Sequence, residues 1–543
     1  MSLAHFLLRW QLLSSRLGAY FPSERKLHSA RYAYPHELAS LLSPTFEGAH
    51  LLLAEYAGRH ILRVTTNHKR YHLGNMLICG PTGSGKSQHI TSQLLTWPHS
   101  AVVYDIKGEL HRLTAGYRAT LGPVYVLDPT GVGHQYDPFR GRVSESKLYA
   151  AANNLLFDPR EGEARGFVEK GMQMLTIVSL AGREVNRRMG KEDGPLLPFI
   201  GSMADVGLNR VVKAVHDISP DLARRFLDED YTPHKDYTQN MFLVNSWQAV
   251  TARLYPILTH EVRRMLGGSS FTGRDLMRAT KPVTVYLRVP EEDLNALSPV
   301  TRLVLDSVIH ELFATHKQAE KEGVSEQCRK VLFLIDEAGR TASLPTLPDH
   351  LTTVRSRGIS IVVAIQNLSQ LTSLYHERAE DVLNNCLSHI YYQPFSYKTA
   401  AELAKWLGYT SGFAQSTSTH GDTEMSESLS EREVPLSSPD ELRLIGDDAV
   451  ICFQPGIRPF LGRRMDWHRF SLLRKREAMK PPPVLALPTL PDPLPVMTTS
   501  DTVAEEHPET EAADAWQVHR TILTKRKALS FTNGFRRQQG KAL

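Results

Sequence analysis

The run Gly80-Pro81-Thr82-Gly83-Ser84-Gly85-Lys86-Ser87 follows the pattern GxxxxGK[ST], in which every fixed residue type has a use at a phosphate chain. Glycines let successive backbone N–H groups turn inward around phosphate oxygens, where a side chain would block the approach. A helix opening at the loop adds the partial positive charge of its N-terminus. Lys86 is then placed for the β- and γ-phosphates, and the Ser87 hydroxyl for Mg2+. Average residue usage gives a chance match in a chain of 543 residues about 2% of the time. The plainer reading is an accidental glycine-rich turn. Against it stand the apolar run 75–79 before the loop and the helix-compatible run 88–95 after it.

Hydrolysis needs more than a cradle: a carboxylate for the metal and a base for water. Val331-Leu332-Phe333-Leu334-Ile335 ends in Asp336-Glu337, two acids that are costly to bury unless paired with a cation. Asp336 is expected to hold Mg2+ through its water shell and Glu337 to polarise the attacking water. A second apolar run, 359–365, ends in Gln366, whose amide suits the γ-phosphate or the water; a strand-capping amide is the alternative. Between them lies Val354-Arg355-Ser356-Arg357-Gly358, and an arginine there is a candidate to neutralise transition-state charge at a neighbouring subunit's nucleotide.

These residues require elements that present them at strand tips. Short β-branched runs at 75–79, 101–104, 124–127, 283–289, 331–335, 359–365, 389–392 and 449–453 are each followed by turns and helical stretches. Consecutive apolar positions without alternation predict strands covered on both faces, hence a doubly wound α/β domain with a mostly parallel sheet. The rhythm breaks between 141 and 280, where only helical patterns occur (147–156, 166–180, 203–215, 245–265), predicting an inserted all-α domain. The stretch 410–438, rich in Ser, Thr and Glu, is expected to be an exposed loop. The folded part is expected to end near Arg474. A proline-rich spacer (480–495) follows, then a tail that passes from acidic (Glu505, Glu506, Glu509) to basic (Lys525, Arg526, Lys527). That tail reads as solvated, with an interaction role as the sharper alternative. The predicted organisation is an N-terminal segment (1–60), a nucleotide-binding domain (61–140 and 281–475), the helical insertion (141–280) and the spacer with its tail (476–543).

Composition excludes several classes. Charged residues are 22%, apolar ones 41%, and the net charge is +5, compatible with nucleic acid but no argument for it. The four cysteines are far apart and form no CxxC pair, which suits buried thiols in a reducing cytoplasm. The 23 histidines include no HExxH helix, so a zinc hydrolase is not indicated. No run approaches the roughly 18 apolar residues of a membrane helix, and the start lacks the features of a signal peptide.

Taken together the motifs resemble the TraG/TraD coupling proteins of type IV secretion and conjugation. Tyr104-Asp105-Ile106-Lys107-Gly108-Glu109-Leu110 is similar to that family's "D-P-K-G-E" segment. Val126-Leu127-Asp128-Pro129 with Tyr136-Asp137-Pro138-Phe139 is similar to its "D-P … N-P-F" pair. Arg355-Ser356-Arg357-Gly358-Ile359, Gln366-Asn367-Leu368-Ser369-Gln370-Leu371 and Asn385-Cys386 follow its C-terminal signature, and Ser29-Ala30-Arg31-Tyr32-Ala33 the segment after its membrane anchor. The resemblance implies a RecA-like P-loop ATPase with an inserted all-α domain, using ATP and Mg2+ and assembling as a homo-hexamer. It implies delivery of relaxase-bound single-stranded DNA, or protein effectors, to the secretion channel. By position Lys86, Ser87, Asp336, Glu337 and Gln366 match its nucleotide motifs, and Arg355, with Arg357 in reserve, its trans-acting arginine. DNA contacts would be electrostatic and salt-sensitive.

Two departures stand out. Family members carry N-terminal membrane helices that this chain lacks, which suggests recruitment to the inner face of the membrane by partners, or a missing start. The segment 338–343 also differs from the family's usual version. The competing readings are another hexameric DNA translocase or helicase, and an ATP-binding scaffold or substrate-recruiting adaptor. Paired D-P segments and the long insertion favour the coupling protein over the first; Glu337 speaks against the second.

Overall fold

Among the described residues fifteen strands follow one another: β1 (Leu42–Ser43), β2 (His50–Tyr56), β3 (His60–Thr65), β4 (Asn75–Cys79), β5 (Ser100–Ile106), β6 (Val124–Asp128), β7 (Val132–Gly133), β8 (Thr284–Val289), β9 (Val331–Ile335), β10 (Ile359–Ile365), β11 (Cys386–Tyr392), β12 (Tyr409–His420), β13 (Glu424–Pro435), β14 (Ala449–Gln454) and β15 (Ile457–Arg463). The computed structural model describes residues 29–57, 60–65, 73–141, 144–156, 165–191, 194–337, 344–420 and 424–487. Among these, thirteen strands form one sheet in the order β1-β3-β2-β15-β14-β11-β4-β10-β9-β5-β8-β6-β7. The middle, from β11 to β6, is parallel throughout. Parallel neighbours need long crossovers, supplied here by α1 (Lys86–Thr96) after β4 and α2 (Glu109–Leu121) after β5.

The central strands β4, β5, β9 and β10 are buried at every position because both faces are covered. On β4, Leu77 and Cys79 enter one core while Met76 and Ile78 enter the other. On β9, Phe333 and Ile335 face the first core and Leu332 and Leu334 the second. This is the period-2 pleat with a helical layer on each side.

Between β7 and β8 the described residues form eight α-helices and no strand. They include α3 (Glu145–Leu156), α4 (Arg165–Arg188) and α5 (Met241–Leu254). Met174, Leu175, Ile177, Val178 and Ala181 of α4 are buried, a stripe at helical spacing. α6 (Leu294–Lys321) and α7 (Leu347–Thr353) follow, and α8 (Ser471–Glu477) closes the helical order. No helix of the described residues is long and apolar enough to cross a membrane.

Three expectations change. Strands β2 and β3, on either side of the predicted boundary at 60, pair antiparallel near one edge of the sheet, with Glu55 opposite Arg463 of β15. Burial of six consecutive β2 residues explains why it joins the core. The stretch expected as a loop, 410–438, is largely the antiparallel hairpin β12–β13, with twelve residue pairs from Tyr409↔Pro435 to His420↔Glu424. Its sequence has no apolar alternation, so periodicity gives no sign of it. The fold also continues past Arg474. Gly133 N–H donates to Leu485 O at 2.7 Å, Leu487 N–H to Gly131 O at 3.0 Å, and Leu487 is buried. Prolines forbid a long ladder but leave single bridges such as Ala486 to Val132. The tail from 488 and segment 338–343 lie outside the described residues.

Candidate functional site

The loop 80–85 leaves the buried tip of β4 and delivers the chain into α1. Gly83 (φ 80°) and Gly85 (φ 103°) occupy left-handed backbone that side-chain-bearing residues avoid. Gly80 is held by close approach instead: a Cβ there would lie 2.6 Å from Tyr392 Cβ. Lys86 is almost buried, and its ammonium donates to Gly80 O at 2.6 Å and Pro81 O at 2.9 Å. Burial lowers the lysine's proton affinity, while Asp336 and Glu337 partly restore it.

Asp336 stands at the tip of β9, two strands from β4, with β10 between them. Ser87 Oγ donates to Asp336 Oδ2 at 3.4 Å, and Glu337 N–H to Asp336 Oδ1 at 3.1 Å. Burial, reinforced by the neighbouring Glu337, pushes the Asp336 carboxyl up to about 6; Lys86 opposes the shift. Glu337 adopts φ 52°, a left-handed conformation that costs a non-glycine residue roughly 1–2 kcal/mol. Such strain at a strand tip re-aims the side chain. A cavity of about 280 Å³ joins Gly83, Lys86, Ser87, Asp105, Asp336 and Glu337.

The donor set suits a triphosphate with Mg2+: hard oxygens from Ser87 and Asp336, and a glycine cradle that any Cβ at position 80 would fill. Gln366 belongs to the other side of the loop. It lines a second cavity, about 260 Å³, with Gly80, Pro81, Thr82, Tyr392 and Phe395. Its backbone N–H is held by Gln370 Oε1 at 2.8 Å.

Arg355 lies elsewhere. It opens a 3-10 turn (Arg355–Arg357) before β10, so a strand of seven residues separates it from the phosphate end, roughly 20 Å. Arg357 stacks over the Phe313 ring at 4.4 Å and donates to Thr353 O at 2.7 Å.

Two contributors escaped the sequence. Arg464, just past β15, donates to Ser84 O at 3.2 Å and is held by Asp448 at 3.2 Å. Tyr392, at the tip of β11, closes over Gly80 and donates to Gly85 O at 3.5 Å. Both lie some 300 residues or more along the chain from the loop, and no local pattern marks either.

The segments that carried the resemblance have local work. Asp105 accepts from Leu110 N–H (3.1 Å) and His111 N–H (2.7 Å), capturing the start of α2; burial pushes its carboxyl up to about 7. Asp128 accepts from Thr130 N–H and pairs with Arg288 at 3.0 Å. Asp137 accepts from Phe139 N–H at 2.9 Å.

Comparison with known proteins places this geometry. A family described as "Type IV secretory system Conjugative DNA transfer" matches residues 54–491. The chain is 24% identical over 456 residues to Protein VirD4 of Rhizobium radiobacter, covering 80% of this chain and 61% of that protein. It is 25% identical over 403 residues to the conjugal transfer protein TraG of Escherichia coli, covering 68% and 62%. It thus spans about three-fifths of the length of these curated relatives. The bacterial conjugative coupling protein TrwB, in its trigonal form with sulphate, superposes with a TM-score of 0.61 at 15% identity, covering 82% of this chain and 95% of that one. TrwB in complex with ADPNP gives 0.58 at 14% identity, with the same coverage. The fold is therefore the RecA-like α/β architecture that the resemblance implied. With four-fifths of its length matched, the chain belongs to the type IV secretory system conjugative DNA transfer family.

Proposed function

We propose that this chain is the ATP-hydrolysing motor of a coupling protein, delivering relaxase-bound single-stranded DNA or protein effectors to a type IV secretion channel. One observation carries the reading: Lys86, Ser87, Asp336 and Glu337 meet in a single cleft at the carboxyl ends of a parallel sheet. The family match supports the cargo, and TrwB complexes with ADPNP and with ADP and Mg2+ support the cofactors.

ATP with Mg2+ supplies the anhydride to be cleaved and a cation that offsets its charge. The loop N–H groups of 83–87 grip phosphate oxygens, and Lys86, already desolvated, moves its ammonium from loop carbonyls to phosphate. Ser87 and Asp336 would hold the metal. Glu337 orients water and takes its proton. Gln366, on the second cavity, reports on occupancy through the loop it shares with Lys86. Arg355 is too far to serve its own cleft, which favours a homo-hexamer in which it reaches the next subunit's nucleotide. Membrane association then comes through channel partners.

The decisive measurement is ATP turnover with and without single-stranded DNA. DNA-stimulated turnover that disappears in Lys86→Ala supports the motor; turnover unchanged by that substitution sinks it.

A further inference from the structure

A cluster of metal-binding side chains lies apart from the phosphate cleft. Asp306 and His310 stand one turn apart on α6, and His350 meets them from α7; their ligand atoms all lie within 4.8 Å of one another. His350 Nε2 is 2.9 Å from Asp306 Oδ1, and His310 Nε2 is 3.5 Å from Asp306 Oδ2. Asp306 is fully buried and its side chain has no exposure, against 6% for His350 and 27% for His310. The i,i+4 spacing puts the first two ligands on one helix face, and the third must come from another element.

We propose that Asp306, His310 and His350 bind a divalent transition metal of the zinc class, fastening α7 to α6. Ligand bonds of about 2.0–2.1 Å in a tetrahedron set donors about 3.3–3.5 Å apart; the two imidazole nitrogens lie 2.9 and 3.5 Å from the two different oxygens of Asp306, and the whole set, within 4.8 Å, would draw in slightly to take the ion. Two imidazoles and a carboxylate suit zinc better than Mg2+, which prefers oxygen alone. A buried carboxylate is expensive; Asp306 Oδ1 accepts from Thr346 Oγ1 at 3.0 Å, and a dication held with the two imidazoles would offset its charge. Three protein ligands leave a position for water. The partly exposed His310 borders a cavity of about 280 Å³ that Arg140, Lys147, Arg274 and Glu311 also line, so a dication entering there passes basic side chains as well as one carboxylate.

The site has a mechanical consequence. α7 runs directly into the turn bearing Arg355 and Arg357, and Phe313, under the Arg357 guanidinium, is edge-on to His350 at 5.8 Å. A metal at this point fixes the arginine turn without touching the nucleotide cleft. The binding site itself stands whether or not the chain is a motor.

The test uses the full chain, stripped with chelator and kept in millimolar Mg2+ so that the phosphate cleft does not compete. Expected results are one tightly bound Zn2+ per chain, a melting temperature raised by several degrees on adding Zn2+, and the visible d–d bands of a tetrahedral site with Co2+. His310→Ala and His350→Ala should each weaken Zn2+ binding at least about 100-fold, while His468→Ala keeps it. A native chain whose melting does not respond to Zn2+ overturns the site and leaves a hydrogen-bonded cluster only. So does equal Zn2+ affinity in native, His310→Ala and His350→Ala chains. The native-chain measurement decides the matter even if a variant fails to fold.

Discussion

At the carboxyl end of the parallel strands, one chain brings together a buried lysine, a hydroxyl and two acids; at the amino end of β10, Arg355 accepts from Gly358 N–H at 3.2 Å through its carbonyl, while its guanidinium makes no hydrogen bond or ion pair among the described residues. The first end gathers these groups at a cost in desolvation, visible in the upward shift of Asp336 and the downward shift of Lys86. The second end offers a guanidinium without a charged partner among the described residues. In the proposed homo-hexamer the two ends would meet across a subunit interface, and hydrolysis would then depend on assembly.

The largest expected effect breaks the complete end. Lys86→Ala should reduce ATP turnover by more than roughly 1,000-fold without changing the far-UV circular dichroism. Arg355→Ala breaks the other end, with a loss of roughly 1,000-fold in assembled protein and nucleotide affinity kept. Mixing Arg355→Ala with Lys86→Ala chains sharpens the comparison, because some interfaces then pair an intact Lys86 with an intact Arg355. Partial recovery of turnover supports the trans role, and none refutes it.

Glu337→Gly should lose about 100-fold or more in turnover yet stabilise the chain by about 1 kcal/mol in denaturant titration, since glycine relieves the left-handed backbone. A variant that is less stable would mean the φ of 52° is not strained. Arg464→Ala should weaken nucleotide binding only several-fold, about 1 kcal/mol by calorimetry, because it removes one bond to the loop carbonyl of Ser84.

The smallest effect concerns acid. Burial lowers His89 to about 4, and its Nε2 lies 3.0 Å from Leu52 O. A folded value below the unfolded one means the stability is fully present above about 6.5 and is lost as pH falls from there towards 4. Melting temperature should therefore decline through that window, less steeply in His89→Gln. An equal slope would remove His89 as a cause.

Legibility followed distance along the chain. The loop, Asp336–Glu337 and the strand ending at Gln366 each announce themselves within eight residues, because an apolar run followed by polar chemistry is a local pattern. Arg464 and Tyr392 could not be read, since only the pairing of β11, β14 and β15 brings them to the loop. The hairpin β12–β13 was hidden for the opposite reason: its pairing is local, but no apolar alternation marks it. His350 joins Asp306 from 44 residues away, on a helix too short to show a face.

The position of β4 in the sheet also sets a timetable for synthesis. Its parallel neighbours pair Val362 with Met76 and His389 with Leu77, partners that leave the ribosome nearly 300 residues after the phosphate loop. At about 5–20 residues per second the glycine loop waits some tens of seconds, with its strand unpaired on both sides. A nascent chain stalled before residue 392 therefore carries the whole motif and no nucleotide site, and its apolar β4 is bare to chaperones or to aggregation.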